Sequence, residues 1–229
     1  MTDIAILYTH ADFYIVNKPA GVTMHDARHG IVSLLRQQTG EHLHLCHRLD
    51  DGTSGALILA RHPQAAAWFQ EAFAYHQIQK YYLALAHGKP AKKQGTISGD
   101  MKNRRRGQHI LLKTRDNPAV TQFFSESLVP GVRVYLVKPL TGKTHQIRVA
   151  LKSLGAPILG DTLYGATDSD RLYLHAYRLC FTYAGQMINV KADINHGEQF
   201  TASSFDAWLA SSSSDPALRR WPDYTPPVR

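Results

Sequence analysis

The sequence predicts an α+β fold built on a mostly antiparallel sheet. Three observations carry this reading. Short apolar runs rich in β-branched and aromatic residues recur along most of the chain, while segments with helical spacing are few. Pro and Gly punctuate those runs, as turns between strands require. The 229 residues are 44% hydrophobic and 10% aromatic, which is ample for a packed core.

Taken in order, Ile4–Tyr8 and Phe13–Asn17 read as strands, followed by a turn at Lys18-Pro19-Ala20-Gly21. Ile31–Gln38 reads as a short helix. Leu43–Cys46 and Ala56–Ala60 are strands on either side of a polar loop. Pro63 suits the first turn of a helix running to about Gln77. Its Ala65, Trp68, Phe69, Ala72, Phe73 and His76 share a helical spacing that suits core packing. Tyr81–His87 is a strand, and a Gly- and Lys-rich connection follows. Strands are expected at Ile110–Lys113, Val120–Ser125 and Val132–Pro139, then a helix over His145–Leu154 stopped by Gly155. Arg178–Tyr183 and Met187–Lys191 form a hairpin with an Ala-Gly turn, and Ser203–Ala210 is a short helix. Residues 1–210 are thus expected to form one domain. The Ser/Pro-rich stretch 211–229 is expected to be a loosely ordered tail.

Composition narrows the function classes. No apolar run approaches membrane-spanning length, and the first residues lack the basic-then-apolar pattern of a secretory signal. Cys46 and Cys180 form no close-spaced pair, so the expected setting is a reducing cytoplasm. The net charge of +8 is localised. Lys89–Arg115 holds nine basic residues and one acid, Asp100, while the remaining basic and acidic residues cancel. Such an excess suits a polyanionic partner, although a solvated loop is an equal alternative.

Three constellations hold reactive groups. His47-Arg48-Leu49-Asp50-Asp51-Gly52-Thr53-Ser54-Gly55 places a cation, two acids and two hydroxyls where a plain turn needs only small residues. A carboxylate there suits a nucleophile, a base or a metal ligand, and the Thr53 and Ser54 hydroxyls can bond the loop backbone. A capped structural turn is equally compatible. Thr141-Gly142-Lys143-Thr144-His145-Gln146-Ile147-Arg148 contains a Gly-Lys-Thr triplet, but Val137 stands where a phosphate-cradling loop needs its first Gly. Nucleotide hydrolysis is excluded on that ground. Lys143 and Arg148 oppose the dipole at a helix start, by about 0.3–1 kcal/mol, which suits a cation facing an anion. In Lys80-Tyr81-Tyr82, alternation points one tyrosine to the core and leaves the other for a site. His42, His44 and Cys46 share a strand face, but no second ligand cluster accompanies them, so no metal site is assigned.

Together these segments resemble the RluA-type family of pseudouridine synthases over residues 4 to 183. Asn17-Lys18-Pro19-Ala20-Gly21 resembles its opening turn, and His47–Gly55 matches its His-Arg-Leu-Asp-x-x-Thr-Ser-Gly signature. Lys80–Tyr82 matches its Lys-x-Tyr motif, and Thr141–Arg148 its third motif. Leu154–Asp161, Tyr164-Gly165 and Leu174-His175-Ala176 are similar to later segments. Ala150 and Tyr183-Ala184 depart from residues common in the family.

The resemblance implies a cofactor-free isomerase that converts uridine to pseudouridine in structured rRNA or tRNA. Asp50 would be its catalytic carboxylate, Tyr82 its active-site tyrosine and Arg148 the partner of Asp50. The target base would be flipped out of its stack, with Arg48 filling the vacated space or holding phosphate. Lys102, Arg104, Arg105 and Arg106 would contact RNA phosphates. A monomer is expected, with no membrane, no obligate protein partner and no separate N-terminal RNA-binding domain. The alternative is a non-catalytic RNA-binding protein that retains the synthase scaffold, weakened because all three motif residues are intact, and a zinc deaminase is disfavoured because the chain has no Cys-x-x-Cys.

Overall fold

The computed structural model describes residues 3–165 and 168–224. Its elements in chain order are β1 (Ala5–Thr9), β2 (Phe13–Lys18), α1 (Ile31–Thr39), β3 (His44–Leu45), β4 (Ser54–Ala60), α2 (Pro63–Ala74), β5 (Gln79–His87), β6 (Gln94–Gly99) and β7 (Met101–Asn103). There follow β8 (His109–Leu111), β9 (Ala119–Val129), β10 (Val132–Pro139), α3 (Gln146–Ser153), β11 (Leu174–Tyr183), β12 (Gln186–Lys191) and α4 (Ser203–Leu209). The sheet runs β1-β2-β4-β11-β5-β10-β9-β6, with β3 paired to β4 and β12 to β11. Every pairing is antiparallel except β4 with β11 at its centre. The expected α+β architecture with a mostly antiparallel sheet is what forms.

Alternation explains how the sheet is covered. In β2, Phe13 and Ile15 face α2 through Phe69, while Tyr14 and Val16 face α1 through Ile31 and Leu35. In β4, Ala56 and Ile58 join the first group, and Leu57 and Leu59 the second. Both faces of β4 are covered, so its Ser54–Ala60 run is buried throughout, as a central strand demands. A third cluster joins β5 and β10 to Ile147 and Leu151 of α3 and Phe205 of α4. Tyr82 touches both this cluster and the α1 cluster, so it stands at the seam between them.

Gly55 is required where the parallel pair closes. Its φ is +113°, and a Cβ there would lie 2.2 Å from the Ala176 carbonyl oxygen. Only glycine lets β11 approach the start of β4, and thereby the loop that precedes it.

Two expectations need correction. The basic connection after β5 is not a plain loop. Besides the strand expected at Ile110–Lys113, which forms as β8, it contains β6, at the sheet edge, and β7, which pairs with β8 in a separate hairpin with a 3-10 turn over Arg105–Gly107. Its polar, Gly-containing strands lack the apolar alternation that announces a buried strand. The stretch after Ser211 is also more fixed than its composition implies. Over residues 211–224 it forms two 3-10 turns. Arg219 pairs with Glu126 at 2.6 Å, and the Trp221 ring lies 5.0 Å from that of Phe124. Residues 225–229 lie outside the described residues.

Candidate active site

The loop between β3 and β4 carries Asp50, and its geometry follows from its neighbours. Leu49 is buried in the α1 cluster, which turns Arg48 and Asp50 outward. The loop is held from behind by the opening turn. Lys18 is fully buried and donates to the carbonyls of Pro19, Val22 and Asp51, and the Gly21 amide also donates to Asp51. Burial pulls the Lys18 ammonium down to about 8 despite the nearby Asp51 carboxylate. This lysine clamps the loop and does not reach the cleft.

The two hydroxyls of the loop have different fates. Ser54 Oγ accepts from Arg171 and sits 2.8 Å from His175 Nδ1, while His175 Nε2 faces the Ala192 carbonyl at 3.1 Å. Burial lowers His175 to about 4, so its neutral ring bridges the start of β4 to β11 and beyond. The Thr53 hydroxyl does not bond the loop backbone as expected. It is buried without a hydrogen-bond partner against the cleft.

Arg148 reaches the same loop from the first turn of α3. Its fork grips Asp161 with two contacts of 2.8 Å, and the remaining nitrogen lies 3.3 Å from Asp50 Oδ2. The planar two-pronged contact is therefore made with Asp161, not with Asp50. Burial opposes the guanidinium charge, but Asp161 and Asp50 outweigh it and hold the proton more firmly than usual. The Asp161 carboxylate is fully buried, and Gly160 makes that possible. A Cβ on Gly160, at φ +71°, would lie 1.8 Å from the Arg171 carbonyl oxygen.

The turn before α3 is stitched by Gln146. Its side-chain oxygen accepts from the Lys143 amide and the Thr141 hydroxyl, and its amide donates to Val120 and Thr121 of β9. His145, the cap, is forced into the left-handed region at φ 56°. Its Nε2 lies 4.0 Å from Asp50 Oδ1.

Asp50, Arg48, Tyr82, Lys80, His145 and Arg148 line one cleft of about 410 Å³. Of the two tyrosines in β5, Tyr81 packs away from it against Trp221, and Tyr82 forms its wall. Burial, reinforced by Asp50, pushes the Tyr82 phenol well above its ordinary range, so it presents a neutral ring face. Lys80 is the unexpected member. Among the described residues its ammonium finds only the Thr141 carbonyl at 3.4 Å and the Phe73 ring at 5.7 Å. Burial lowers it to about 8. His47, pushed to about 3 by burial and by Lys80, accepts from the Ile58 amide and serves the loop's shape.

These features match known proteins. A family model described as RNA pseudouridylate synthase matches residues 12–153. An uncharacterized RNA pseudouridine synthase of Haemophilus influenzae is 48% identical over 201 residues, covering 86% of this chain and 90% of that protein. A tRNA pseudouridine synthase C of Haemophilus ducreyi is 31% identical, covering 89% and 96%. The structure of human RNA pseudouridylate synthase domain containing 1 superposes with a TM-score of 0.74 at 28% identity, covering 90% of this chain and 87% of that one.

The chain belongs to the RNA pseudouridylate synthase family. It is an isomerase, and the fold is that of a pseudouridine synthase. Within this synthase, three of the residues singled out in the sequence as catalytic, Asp50, Tyr82 and Arg148, converge on the cleft together with Arg48. Lys102, Arg104, Arg105 and Arg106 do not. They sit exposed on or beside the β7–β8 hairpin, and Arg104 alone lines a groove that runs beside α3 towards Tyr164. Sequence reasoning left Lys80, His145 and Asp161 without roles. Lys80 shares a strand face with Tyr82, and that alternation was its available signal. Asp161 offered only its place at the end of the Leu154–Asp161 segment that resembles the family. The His42 and His44 rings lie 5.1 Å apart, but no group of three or more potential metal ligands is assembled among the described residues. No helix among them is long and apolar enough to cross a membrane.

Proposed function

We propose that this synthase isomerises uridine in structured RNA with Asp50 as the catalytic carboxylate. The observation that carries the reading is the Asp50–Arg148 contact at 3.3 Å at the edge of a cleft walled by Tyr82. A carboxylate so placed is only partly exposed, and the guanidinium beside it fixes where it points. In net terms the N1–C1′ bond breaks, C5–C1′ forms, and N1 gains the proton that C5 loses. No redox partner is required. Tyr82 supplies a neutral surface on which uracil can stack while it turns.

A base paired in a helix cannot reach Asp50. The target uridine is therefore flipped into the cleft, at a cost of about a few kcal/mol that RNA contacts offset. Arg48, exposed at the rim beside Asp50, fills the space left in the stack or holds a phosphate. Lys102 and Arg104–Arg106 hold phosphates farther along the strand. Ribosomal RNA and tRNA are the substrate classes considered, in keeping with relatives named for the large ribosomal subunit and for tRNA.

The test joins chemistry to a cellular map. Asp50→Asn keeps the side chain's shape, so folding and most RNA affinity should survive while product formation disappears. Residual turnover near wild type would remove Asp50 from the mechanism. Chemical mapping of pseudouridine in cells with and without the gene should show at least one rRNA or tRNA position that vanishes. Sites lost only in other RNAs would reject the substrate assignment.

A further inference from the structure

Between the basic hairpin and the cleft stands the hydroxyl of Tyr164. The Tyr164 side chain is buried in the wall beside α3. Its oxygen accepts from the backbone N–H of His109, the first residue of β8, at 3.0 Å. The same oxygen lies 3.0 Å from His145 Nδ1. His145 Nε2 in turn lies 4.0 Å from Asp50 Oδ1. Already an acceptor from the hairpin, the phenol is set to donate its own proton to His145 Nδ1. The neutral ring then carries its proton on Nε2, the nitrogen that faces Asp50. Burial, which lowers the affinity of His145 for a second proton despite Asp50, agrees with a neutral ring.

Other contacts tie the same two parts. Gln108 donates to the Leu163 carbonyl at 2.7 Å, which seats the hairpin on the segment carrying Tyr164. Lys152 of α3 donates to the Tyr164 carbonyl at 2.6 Å, and the Arg148 guanidinium lies 5.1 Å over the Tyr164 ring. The His109 ring stands edge-on to His145 at 5.3 Å, with its Nδ1 buried and unbonded. Tyr164 is thus held on the cleft side by fixed elements. On the other side it meets a two-stranded hairpin outside the main sheet.

We propose that Tyr164 and His145 are positioning residues that couple the seating of the β7–β8 hairpin on RNA to the aim of Asp50. The proposal rests on the reading of Asp50 as the catalytic carboxylate and of the hairpin as an RNA contact. RNA phosphates that bind Arg104–Arg106 best in the seated hairpin favour that arrangement over an unseated one. Seating places the His109 N–H on Tyr164, which fixes the His145 tautomer and directs an N–H at Asp50. RNA that fails to engage the hairpin is then bound more weakly and also turned over slowly once bound. Selection occurs in the chemical step as well as in affinity.

The experiment is a double-mutant cycle read in single turnover. The substrate is bulk rRNA and tRNA from cells lacking the gene, labelled with tritium at uridine C5, whose release reports the reaction. Tyr164→Phe should lower the rate at saturating enzyme about tenfold, the worth of roughly one hydrogen bond, with RNA affinity within about twofold of wild type. Replacing Lys102, Arg104, Arg105 and Arg106 by Ser should lower both affinity and saturated rate. The combined variant should have the saturated rate of the slower parent, because both changes break one chain. Saturated rates that multiply instead would overturn the coupling, as would a wild-type rate in Tyr164→Phe. If Tyr164→Phe does not fold, His145→Gln enters the same cycle with the same two outcomes. Asp50→Asn separates the readings: release at the wild-type rate there defeats the catalytic assignment. A dead Asp50→Asn with multiplying effects elsewhere defeats the coupling alone.

Discussion

Arg148 and the arginines of the β7–β8 hairpin are one residue type under opposite conditions. Arg148 is largely buried, braced by Asp161 and directed at Asp50. Arg104, Arg105 and Arg106 are exposed and form no ion pair among the described residues. The first arrangement spends its charge inside the protein to hold one carboxylate in place. The second leaves its charge available to a partner. Lys80 falls between them: it is withdrawn from water like Arg148, yet it meets a carbonyl in place of a carboxylate.

The comparison breaks most sharply at Arg148. Arg148→Met would leave Asp161 fully buried without a partner, at a cost of about 3–5 kcal/mol. Turnover and thermal stability should fall together. Arg148→Lys keeps the charge but not the fork that engages Asp161, so turnover should fall while RNA affinity changes little. Asp161→Asn tests the bracing itself. With Arg148 intact but loosely aimed, turnover should drop by roughly tenfold or more. Normal turnover in Asp161→Asn would show that the Asp50 contact needs no brace.

The hairpin should respond differently. Replacing Lys102, Arg104, Arg105 and Arg106 with Ser should leave thermal stability nearly unchanged, because no ion pair is lost. RNA binding should weaken, and its salt dependence should flatten by ~0.7 per lost phosphate contact on a log–log plot. Fluorescence anisotropy of labelled RNA across a salt series measures both quantities. An unchanged slope would make the cluster a solvated surface.

These two regions were also unequally legible in the sequence. Asp50, Tyr82 and Arg148 stood out through the resemblance of their three motifs to the RluA-type family, because the residues alone, a loop with surplus acids and a cation opposed to a helix dipole, were equally compatible with a structural turn and a solvated helix end. Val132–Pro139 was legible to the residue because it is a short, mostly buried apolar run that starts after the Pro130-Gly131 turn and ends at a proline. Of the hairpin only β8 was expected, at Ile110–Lys113, while β7 was not legible, since it pairs with β8 alone and shows little apolar alternation. Asp161 was silent for another reason. Its role depends on a contact across 13 positions that only the folded α3 creates. The packing after Ser211 was hidden because it rests on single residues, Arg219 and Trp221, within a stretch of disorder-prone composition.

Lys80 gives the smallest effect, and its sign distinguishes a cation kept for the substrate from one kept for the fold. Burial lowers its folded pKa to about 8, against 10.5 for the ordinary group. Between those values the unfolded chain binds more protons than the folded one, so this group makes stability rise as pH increases from about 8 towards 10.5. Below pH 8 both states are charged and the folded state carries the full desolvation cost. Lys80→Met removes that cost and keeps an unbranched stem. The variant should melt a few degrees higher than wild type at pH 7, on the order expected for about 1 kcal/mol in a chain of this size. Its advantage should shrink at pH 10, where wild type has shed most of the charge. Turnover should fall in the same variant, because the cleft would lose its one cation without a carboxylate partner among the buried pair Lys80 and Arg148. Denaturation midpoints at the two pH values, measured beside tritium release, decide the matter. A variant less stable than wild type at pH 7 would make Lys80 a structural cation like Lys18, which the loop carbonyls fully engage.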